Sequence, residues 1–238
     1  MNYAGILASG KGERMGKSRP KQFLCLGDDE TPIIIRTLNE FVCAPQIDKI
    51  IIAASADWIE YVQELIASNF TQQDAARIFV IEGGKERFDS LNNICKFIES
   101  SWGLAEDDIL VSHDAVRPFV TQRIISENIE AAHAHGCVDT VVPATDTIVV
   151  SEDAEKISNI PLRSNYYQGQ TPQSFQIKAY NKAFDALSDE QKSQLTDACK
   201  VFLFSNLPVH LVMGEYSNIK ITTPHDIYVA RAIIHGIE

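Results

Sequence analysis

The sequence has no long apolar run, little positive charge and few cysteines, and each shortage excludes a class of protein. No apolar stretch is long enough to cross a bilayer, and no charged segment followed by an apolar one marks a secretory signal. We therefore expect a cytoplasmic protein with no membrane insertion. The 21 Lys and Arg residues are outnumbered by 32 Asp and Glu residues, for a formal net charge of −11. A chain this acidic is not expected to bind nucleic acid, which favours a broadly basic surface.

The cysteines are odd in number, and none belongs to a C-x-x-C pair. Thiols scattered in this way are typical of a reduced protein, so neither a zinc site nor a cysteine nucleophile is predicted. The six histidines also lack the spacing of metal ligands, and none is assigned to a metal or to catalysis. The cysteines are Cys25, Cys43, Cys95, Cys137 and Cys199.

The positive charge that is present is concentrated in one loop near the N-terminus, directly after an apolar segment at 3–8. Three glycines in this loop let the backbone turn sharply and approach a ligand closely. The loop therefore predicts a binding site for a polyanion such as a nucleoside triphosphate. Its glycines are Gly10, Gly12 and Gly16, and its cations are Lys11, Arg14, Lys17, Arg19 and Lys21.

Two better-known glycine motifs do not fit this loop. A P-loop would need a glycine where Lys11 stands. The glycine spacing is one residue too long for the dinucleotide-binding fingerprint, and no acidic residue follows the second predicted strand to hold a ribose. A nicotinamide oxidoreductase is therefore a distant alternative. Arg14 and Lys21 are the cations best placed to flank a phosphate.

Strand-like and helical patterns alternate along the first 143 residues. This alternation predicts an α/β fold, with a Rossmann-like, mainly parallel sheet and helices on both faces. Ligands of such sheets bind at the carboxyl ends of the strands. The predicted strands are 3–8, 49–54, 77–81, 109–113 and 140–143, and the predicted helices are 33–42, 58–69, 90–101 and 123–135.

The pattern changes after Pro143. Alternating apolar and polar residues at 146–160 predict a β-hairpin that projects from the sheet. Such an exposed hairpin needs a cover; the same arm of a second subunit would supply it and make a homodimer, although the arm could also fold back on its own domain. Strands are predicted at 209–213 and 219–222, followed by a helix that begins at Pro224 with Thr223 as its N-cap. We expect one domain over 1–238.

Polar motifs also follow the later strands. The pair Gly83–Gly84 would let the backbone contact a flat ligand, with Ser90 as a cap or a base contact, although an ordinary turn explains it equally well. Asp114 and Arg117 could bind a metal or hydroxyl and a phosphate, or could form a structural ion pair. Lys220 lies in an apolar segment, where a charge is costly unless it is paired, so we expect it to face the site.

In this order the motifs resemble the cytidylyltransferases that act on sugar-alcohol phosphates. The resemblance covers essentially the whole chain. It rests on the loop ending Pro-Lys-Gln, then Gly-Gly-x-x-Arg-x-x-Ser, His-Asp-x-x-Arg-Pro, Asp-Thr, Thr-Pro-Gln and Asn-Ile-Lys-x-Thr. It implies a single domain of the nucleotide-diphospho-sugar transferase type, with a dimerisation arm at about 146–170. Ser9 departs from the family, where Ala or Gly is usual.

The family has two branches, which make CDP-methylerythritol for isoprenoids or CDP-ribitol for teichoic acid and capsule polymers. Segments 167–173, 195–200 and 214–218, with Val116, resemble the ribitol branch. The resemblance thus implies transfer of the cytidylyl group from CTP to D-ribitol 5-phosphate, with Mg²⁺ as cofactor and pyrophosphate as product. The alternative is the same reaction on 2-C-methyl-D-erythritol 4-phosphate. A CTP-binding regulator without turnover is a further alternative.

The resemblance also implies a role for individual residues, some of them reaching the site from the partner's arm. Asp114 would in addition be a minor ligand of Mg²⁺ held mainly by the CTP phosphates. The residues implied to act on the reacting phosphates are Arg14, Lys21, Arg163 and Lys220. Those implied to bind CTP are Leu7, Ala8, Ser9, Gly10, Lys11, Gly12, Gly83, Gly84, Lys85, Arg87, Ser90, Ser112 and Asp114. Those implied to bind the acceptor are Arg117, Thr147, Arg163, Thr171, Thr196 and Lys220.

Overall fold

Seven strands form one sheet in the computed structural model, which describes residues 1–10, 19–27 and 29–236. The strand order is β3-β2-β1-β4-β6-β5-β7; β6 is antiparallel to both of its neighbours, and the other pairs are parallel. The predicted mainly parallel α/β sheet is therefore confirmed. The strands are β1 Asn2–Ala8, β2 Lys49–Ala54, β3 Ile78–Glu82, β4 Ile109–Asp114, β5 Cys137–Pro143, β6 Tyr167–Gln176 and β7 His210–Met213.

Helices cover both faces of this sheet because its central strands are apolar on both sides. In β2, Ile50 and Ile52 belong to a core cluster that includes residues of α1, α2 and α5, whereas Ile51 and Ala53 face a cluster built with α4, α6 and α8. The helices are α1 Ile33–Cys43, α2 Ile59–Asn69, α3 Gln72–Ala75, α4 Arg87–Trp102, α5 Gln122–His135, α6 Ile177–Asp185, α7 Asp189–Ser193, α8 Cys199–Phe204 and α9 Pro224–His235.

Strand β6 has no counterpart among the predicted strands. Its buried positions are largely polar, including Thr171, Gln173 and Ser174, so it lacks the apolar run that identified the other strands. Gln173 pairs in register with Ser112 on β4 and with Asp139 on β5. Because side chains opposite each other in a sheet share a face, a polar row crosses the middle of the sheet.

The strand predicted at 219–222 is wrong. This segment is irregular: the backbone N–H of Ile221 donates to the carbonyl oxygen of Val116 at 3.0 Å, and the Ile221 side chain packs with Leu26. The helix predicted after it is confirmed as α9, with a capping box formed by Thr223 and Asp226.

The arm predicted as a regular hairpin is largely irregular. A single antiparallel bridge joins Val150 to Asn159 within the described residues of the arm. Its apolar side chains are exposed, and the predicted dimer remains a proposal. These exposed side chains are Val149, Val150, Ile157, Ile160, Leu162, Tyr166 and Tyr167. Elsewhere, no helix in the described ranges has the length and apolar character needed to cross a membrane.

Candidate active site

A cavity of about 990 Å³ opens at the carboxyl ends of β1 and β4, where ligands of parallel sheets bind. Its size is that of a small-molecule site rather than of a macromolecular groove. The predicted site residues that line it are Leu7, Ala8, Ser9, Gly10, Lys21, Gly83, Gly84, Lys85, Arg87, Asp114 and Lys220. The predicted residues Lys11, Gly12 and Arg14 lie outside the described residues.

The start of the glycine loop is held by Gln22, a residue to which the sequence analysis gave no role. Its amide Nε2 donates to the carbonyl oxygen of Ala8 at 2.7 Å and to that of Gly10 at 3.3 Å. The Gln22 side chain is buried. One buried amide therefore holds two carbonyl groups of the turn that lines the cavity. The Pro-Lys-Gln motif includes Gln22 but does not indicate this contact.

Two serines tie this loop to the Gly83–Gly84 turn. The hydroxyls of Ser9 and Ser90 share a hydrogen bond of 2.8 Å, and Ser90 Oγ accepts from the backbone N–H of Gly84 at 3.0 Å. A Cβ at Gly83 would come within 2.7 Å of Ser9 Cβ, and one at Gly84 would overlap the side chain of Asp89. Both glycines are thus required by close packing. Ser9, although unusual for the family, has a structural partner.

Asp114 is the centre of the charged floor of the cavity. Its Oδ1 lies 3.4 Å from Arg87 Nε, and its Oδ2 lies 3.4 Å from Arg117 Nε and 2.9 Å from Lys220 Nζ. Burial alone would raise the pKa of Asp114, but the charges of Arg87, Lys220 and Arg117 outweigh it and hold the pKa well below its usual range. The carboxylate is therefore always ionised at physiological pH.

Three cations gathered on one carboxylate leave an excess of positive charge. Lys21 and Lys85 also line the cavity, and so do Glu82 and Glu86, so these five cations still outnumber the three carboxylates. Lys220 faces the site as expected, although from an irregular segment rather than a strand. A cavity with this charge balance is suited to a ligand that carries several negative charges, because each added phosphate group offsets like-charge repulsion among the cations.

Thr171 is buried beneath this floor and does not line the cavity. Its Oγ accepts from the backbone N–H of Asp114 at 3.1 Å and lies 3.0 Å from His113 Nδ1. His113 Nε2 lies 3.0 Å from the carbonyl oxygen of Arg117, so this nitrogen must carry the proton and Thr171 donates to Nδ1. Burial lowers the pKa of His113 to about 4, and the ring is neutral. Thr171 and His113 thus orient Asp114 and Arg117.

Comparison with known families identifies the family of the chain. The sequence matches the family model of 2-C-methyl-D-erythritol 4-phosphate cytidylyltransferase, or IspD, over residues 3–236. The chain belongs to this family. It is therefore a cytidylyltransferase, which is a class of nucleotidyltransferase, and the expectation drawn from the motifs is confirmed at that level.

Solved structures of the IspD family have the same fold as this cytidylyltransferase. The 4-diphosphocytidyl-2C-methyl-D-erythritol synthase of Anaerococcus prevotii is 25% identical, with a TM-score of 0.80 over 98% of this chain and 96% of that one. The enzyme of Francisella tularensis is 28% identical, with a TM-score of 0.77 over 96% and 97%. That of Thermus thermophilus is 24% identical, with a TM-score of 0.73 over 99% and 100%. The nucleotide-diphospho-sugar transferase type of fold is thus confirmed.

The residues present do not fit a metal ion held mainly by protein ligands. No cluster of three or more His, Cys, Asp or Glu side chains suited to a metal occurs among the described residues. Asp114, the expected ligand, already has cationic partners at both carboxylate oxygens. Mg²⁺ prefers oxygen ligands and is commonly bound through substrate phosphates. The donor set here is therefore consistent with Mg²⁺ that arrives as part of its CTP complex.

The remaining predicted residues do not line the cavity. Ser112 is fully buried on β4, and its Oγ has no hydrogen-bond partner in the described structure. Thr147 and Arg163 are exposed on the arm, where Arg163 Nη1 donates to the carbonyl oxygen of Thr145 at 2.8 Å. Thr196 lies just before α8, and its hydroxyl donates to the Asp197 carboxylate at 3.1 Å.

Proposed function

We propose that this cytidylyltransferase transfers the cytidylyl group of CTP to the phosphate of a sugar alcohol and releases pyrophosphate. The observation that carries the proposal is the charged floor of the cavity, where Arg87, Arg117 and Lys220 surround Asp114. A bond forms between an acceptor phosphate oxygen and the α-phosphorus, and the bond from that phosphorus to the β-phosphate bridge breaks. The electron pair of that bond leaves with pyrophosphate.

The reaction needs no protein nucleophile and no strong base, because the attacking phosphate is already ionised at neutral pH. The task of the protein is to bring two anions together in line and to stabilise the charge that builds up between them. Lys21 and Arg14 would act on the triphosphate. Lys220, held 2.9 Å from Asp114 Oδ2, would hold the incoming phosphate. His113 takes no part, since its ring nitrogens are both engaged below the floor.

The comparisons favour 2-C-methyl-D-erythritol 4-phosphate as the acceptor. The family model and the similar structures carry the name of the enzyme for that substrate or its product. This was the alternative acceptor in the sequence analysis, and it is the better supported of the two by these matches.

D-ribitol 5-phosphate is the second candidate, because the segments that resemble its branch are linked to one another next to Arg117. Gln170 Nε2 donates to the carbonyl oxygen of Glu215 at 2.8 Å, and Asn218 Nδ2 donates to Gln170 Oε1 at 3.1 Å. The carbonyl oxygen of Asn218 accepts in turn from Arg117 Nη1 at 2.8 Å. Two of the resembling segments therefore act as one unit that positions a predicted acceptor-binding arginine.

The arm would complete the site in a homodimer. The chain would form a single domain over 1–238 with a dimerisation arm at about 146–170, and its exposed apolar side chains would be buried against a second subunit. Thr147 and Arg163 would then contact the acceptor in the neighbouring site. Sedimentation equilibrium of the full chain tests this proposal, with twice the monomer mass expected and a monomer at micromolar concentration contradicting it.

Pyrophosphate release from CTP and Mg²⁺ tests the function. Each acceptor should be offered separately and then in competition, with kcat/KM compared. Turnover with either polyol phosphate supports cytidylyl transfer, and the ratio of kcat/KM values decides the acceptor. Saturable CTP binding with no release of pyrophosphate from CTP in the presence of either acceptor would contradict the proposal and favour a CTP-binding regulator.

A further inference from the structure

Asp139 is a partly buried carboxylate in the middle of β5 to which neither the sequence analysis nor the resemblance gave a role. Its Oδ1 accepts a hydrogen bond from Gln173 Nε2 at 3.1 Å. It shares the sheet face of Cys137, two residues earlier, which packs in the same core cluster as Cys199 of α8. A carboxylate at such a position costs stability unless it is well paired, and Asp139 forms no salt bridge in the described ranges.

Gln173 connects Asp139 to the charged floor. Its Oε1 accepts from Arg87 Nη1 at 3.3 Å and from the backbone N–H of Ala198 at 3.3 Å. Arg87 Nε in turn lies 3.4 Å from Asp114 Oδ1. Asp139 is therefore two side chains removed from Asp114, and its strand β5 lies on the opposite side of β4 from β3, which leads into the Gly83–Gly84 turn.

The second oxygen of Asp139 is open to a ligand. Within the described structure, Oδ2 has no hydrogen-bond partner, and it is not one of the buried atoms left without a partner. Gly169 stands beside it on β6, and a Cβ built at that glycine would meet Asp139 Oδ2 at 3.8 Å, with no other described atom within 4 Å apart from the adjoining residues of the chain. On its Gly169 side, the space next to this oxygen is therefore free of side chains in the described structure.

The neighbours of Asp139 make this space rich in hydrogen-bond acceptors. Asp197 is close enough to contribute to raising the pKa of Asp139, after the larger effect of burial. The Asp197 carboxylate accepts hydrogen bonds from the Thr196 hydroxyl and from the backbone N–H of Lys200. Arg87 and Arg117 attract Asp139 from a distance. The part of a ligand that enters here must bring hydrogen-bond donors and no negative charge.

We propose that Asp139, held in place by Gln173, accepts hydrogen bonds from hydroxyl groups of the acceptor's polyol chain and is a specificity-determining residue of the enzyme. The inference rests on the proposed function. It gives the acceptor a direction, with the phosphate at Lys220 and Arg117 and the hydroxyl-bearing carbons extending toward β5. A carboxylate suits this task because a charged acceptor forms shorter and stronger hydrogen bonds with hydroxyls than a neutral one does.

The test is the variant Asp139→Asn, assayed with the acceptor that the wild-type enzyme prefers. The KM for the acceptor should rise about 10- to 100-fold, the range expected for a lost hydrogen bond to a charged group. The KM for CTP should change less than twofold. Asp107→Asn is the matched control, because Asp107 is exposed in the turn at the amino end of β4, away from the cavity, and its substitution removes the same charge. The KM values of Asp107→Asn for both substrates should match those of the wild type.

A second arm uses acceptors that lack one hydroxyl each. At least one such analogue should lose most of its affinity for the wild-type enzyme but not for Asp139→Asn. An unchanged acceptor KM in the variant, an equal rise in both KM values, or the same loss for every analogue in both proteins would overturn the inference while leaving the function intact. Absence of pyrophosphate release from the wild type with both acceptors would instead refute the proposed function, and the inference with it.

Discussion

The cost of keeping Asp139 ionised predicts an unusual dependence of stability on pH. Burial, reinforced by the charge of Asp197, raises the pKa of Asp139 from its ordinary 3.8 to about 6 in the folded protein. Between these two values the folded state holds a proton that the unfolded state has released. This group therefore contributes a loss of stability as the pH rises through that window, and above about pH 6 the loss is complete. The difference corresponds to about 3 kcal/mol.

Replacing Asp139 with Asn should remove this loss. In urea titrations of the ligand-free protein, Asp139→Asn should be more stable than the wild type by about 1–3 kcal/mol at pH 8, and the difference should shrink toward zero at pH 4. Asp107→Asn should show no such trend relative to the wild type. A variant that is less stable than the wild type at pH 8 would refute the reasoning, because Asp139 would then be a structural partner rather than a carboxylate kept for a ligand.

Three further substitutions test other parts of the site. Lys220→Ala should lower turnover about 10²- to 10³-fold while leaving the protein folded and able to bind CTP by calorimetry, and near-normal turnover would remove Lys220 from the mechanism. Gly84→Ala should weaken CTP binding strongly because its Cβ would overlap Asp89, and an unchanged dissociation constant would show that the turn can relax. Thr171→Val should cost about 1–3 kcal/mol of stability through the lost partners of His113 and Asp114, measured by urea titration, whereas unchanged stability would contradict its place below the floor.

Sequence could predict the strands whose buried residues form a continuous apolar run. Strand β2 is an unbroken apolar run because it is buried on both faces, and its predicted bounds match Lys49–Ala54. Strand β6 could not be found in this way. Its buried positions include Gln170, Thr171 and Gln173, whose polar groups find partners that are distant in sequence.

The candidate site shows the same division. Lys220 could be placed at the site from sequence because a charge in an apolar segment requires a counter-charge, which Asp114 supplies. The role of Gln22 could not, since only folding brings its amide to the carbonyl groups of Ala8 and Gly10. Asp139 gave no signal at all, because one acidic residue within a strand has the same pattern as an ordinary exposed position.

The most direct test of the central claim follows the oxygen atoms of the reaction. The acceptor phosphate should be labelled with ¹⁸O on its non-bridging oxygens and incubated with the enzyme, CTP and Mg²⁺, and both products should be analysed by mass spectrometry. Attack by the acceptor phosphate on the α-phosphorus predicts one pyrophosphate for each CDP-polyol, with all of the label in the CDP-polyol. Label in the released pyrophosphate, or a CDP-polyol that has lost a labelled oxygen, would contradict the account.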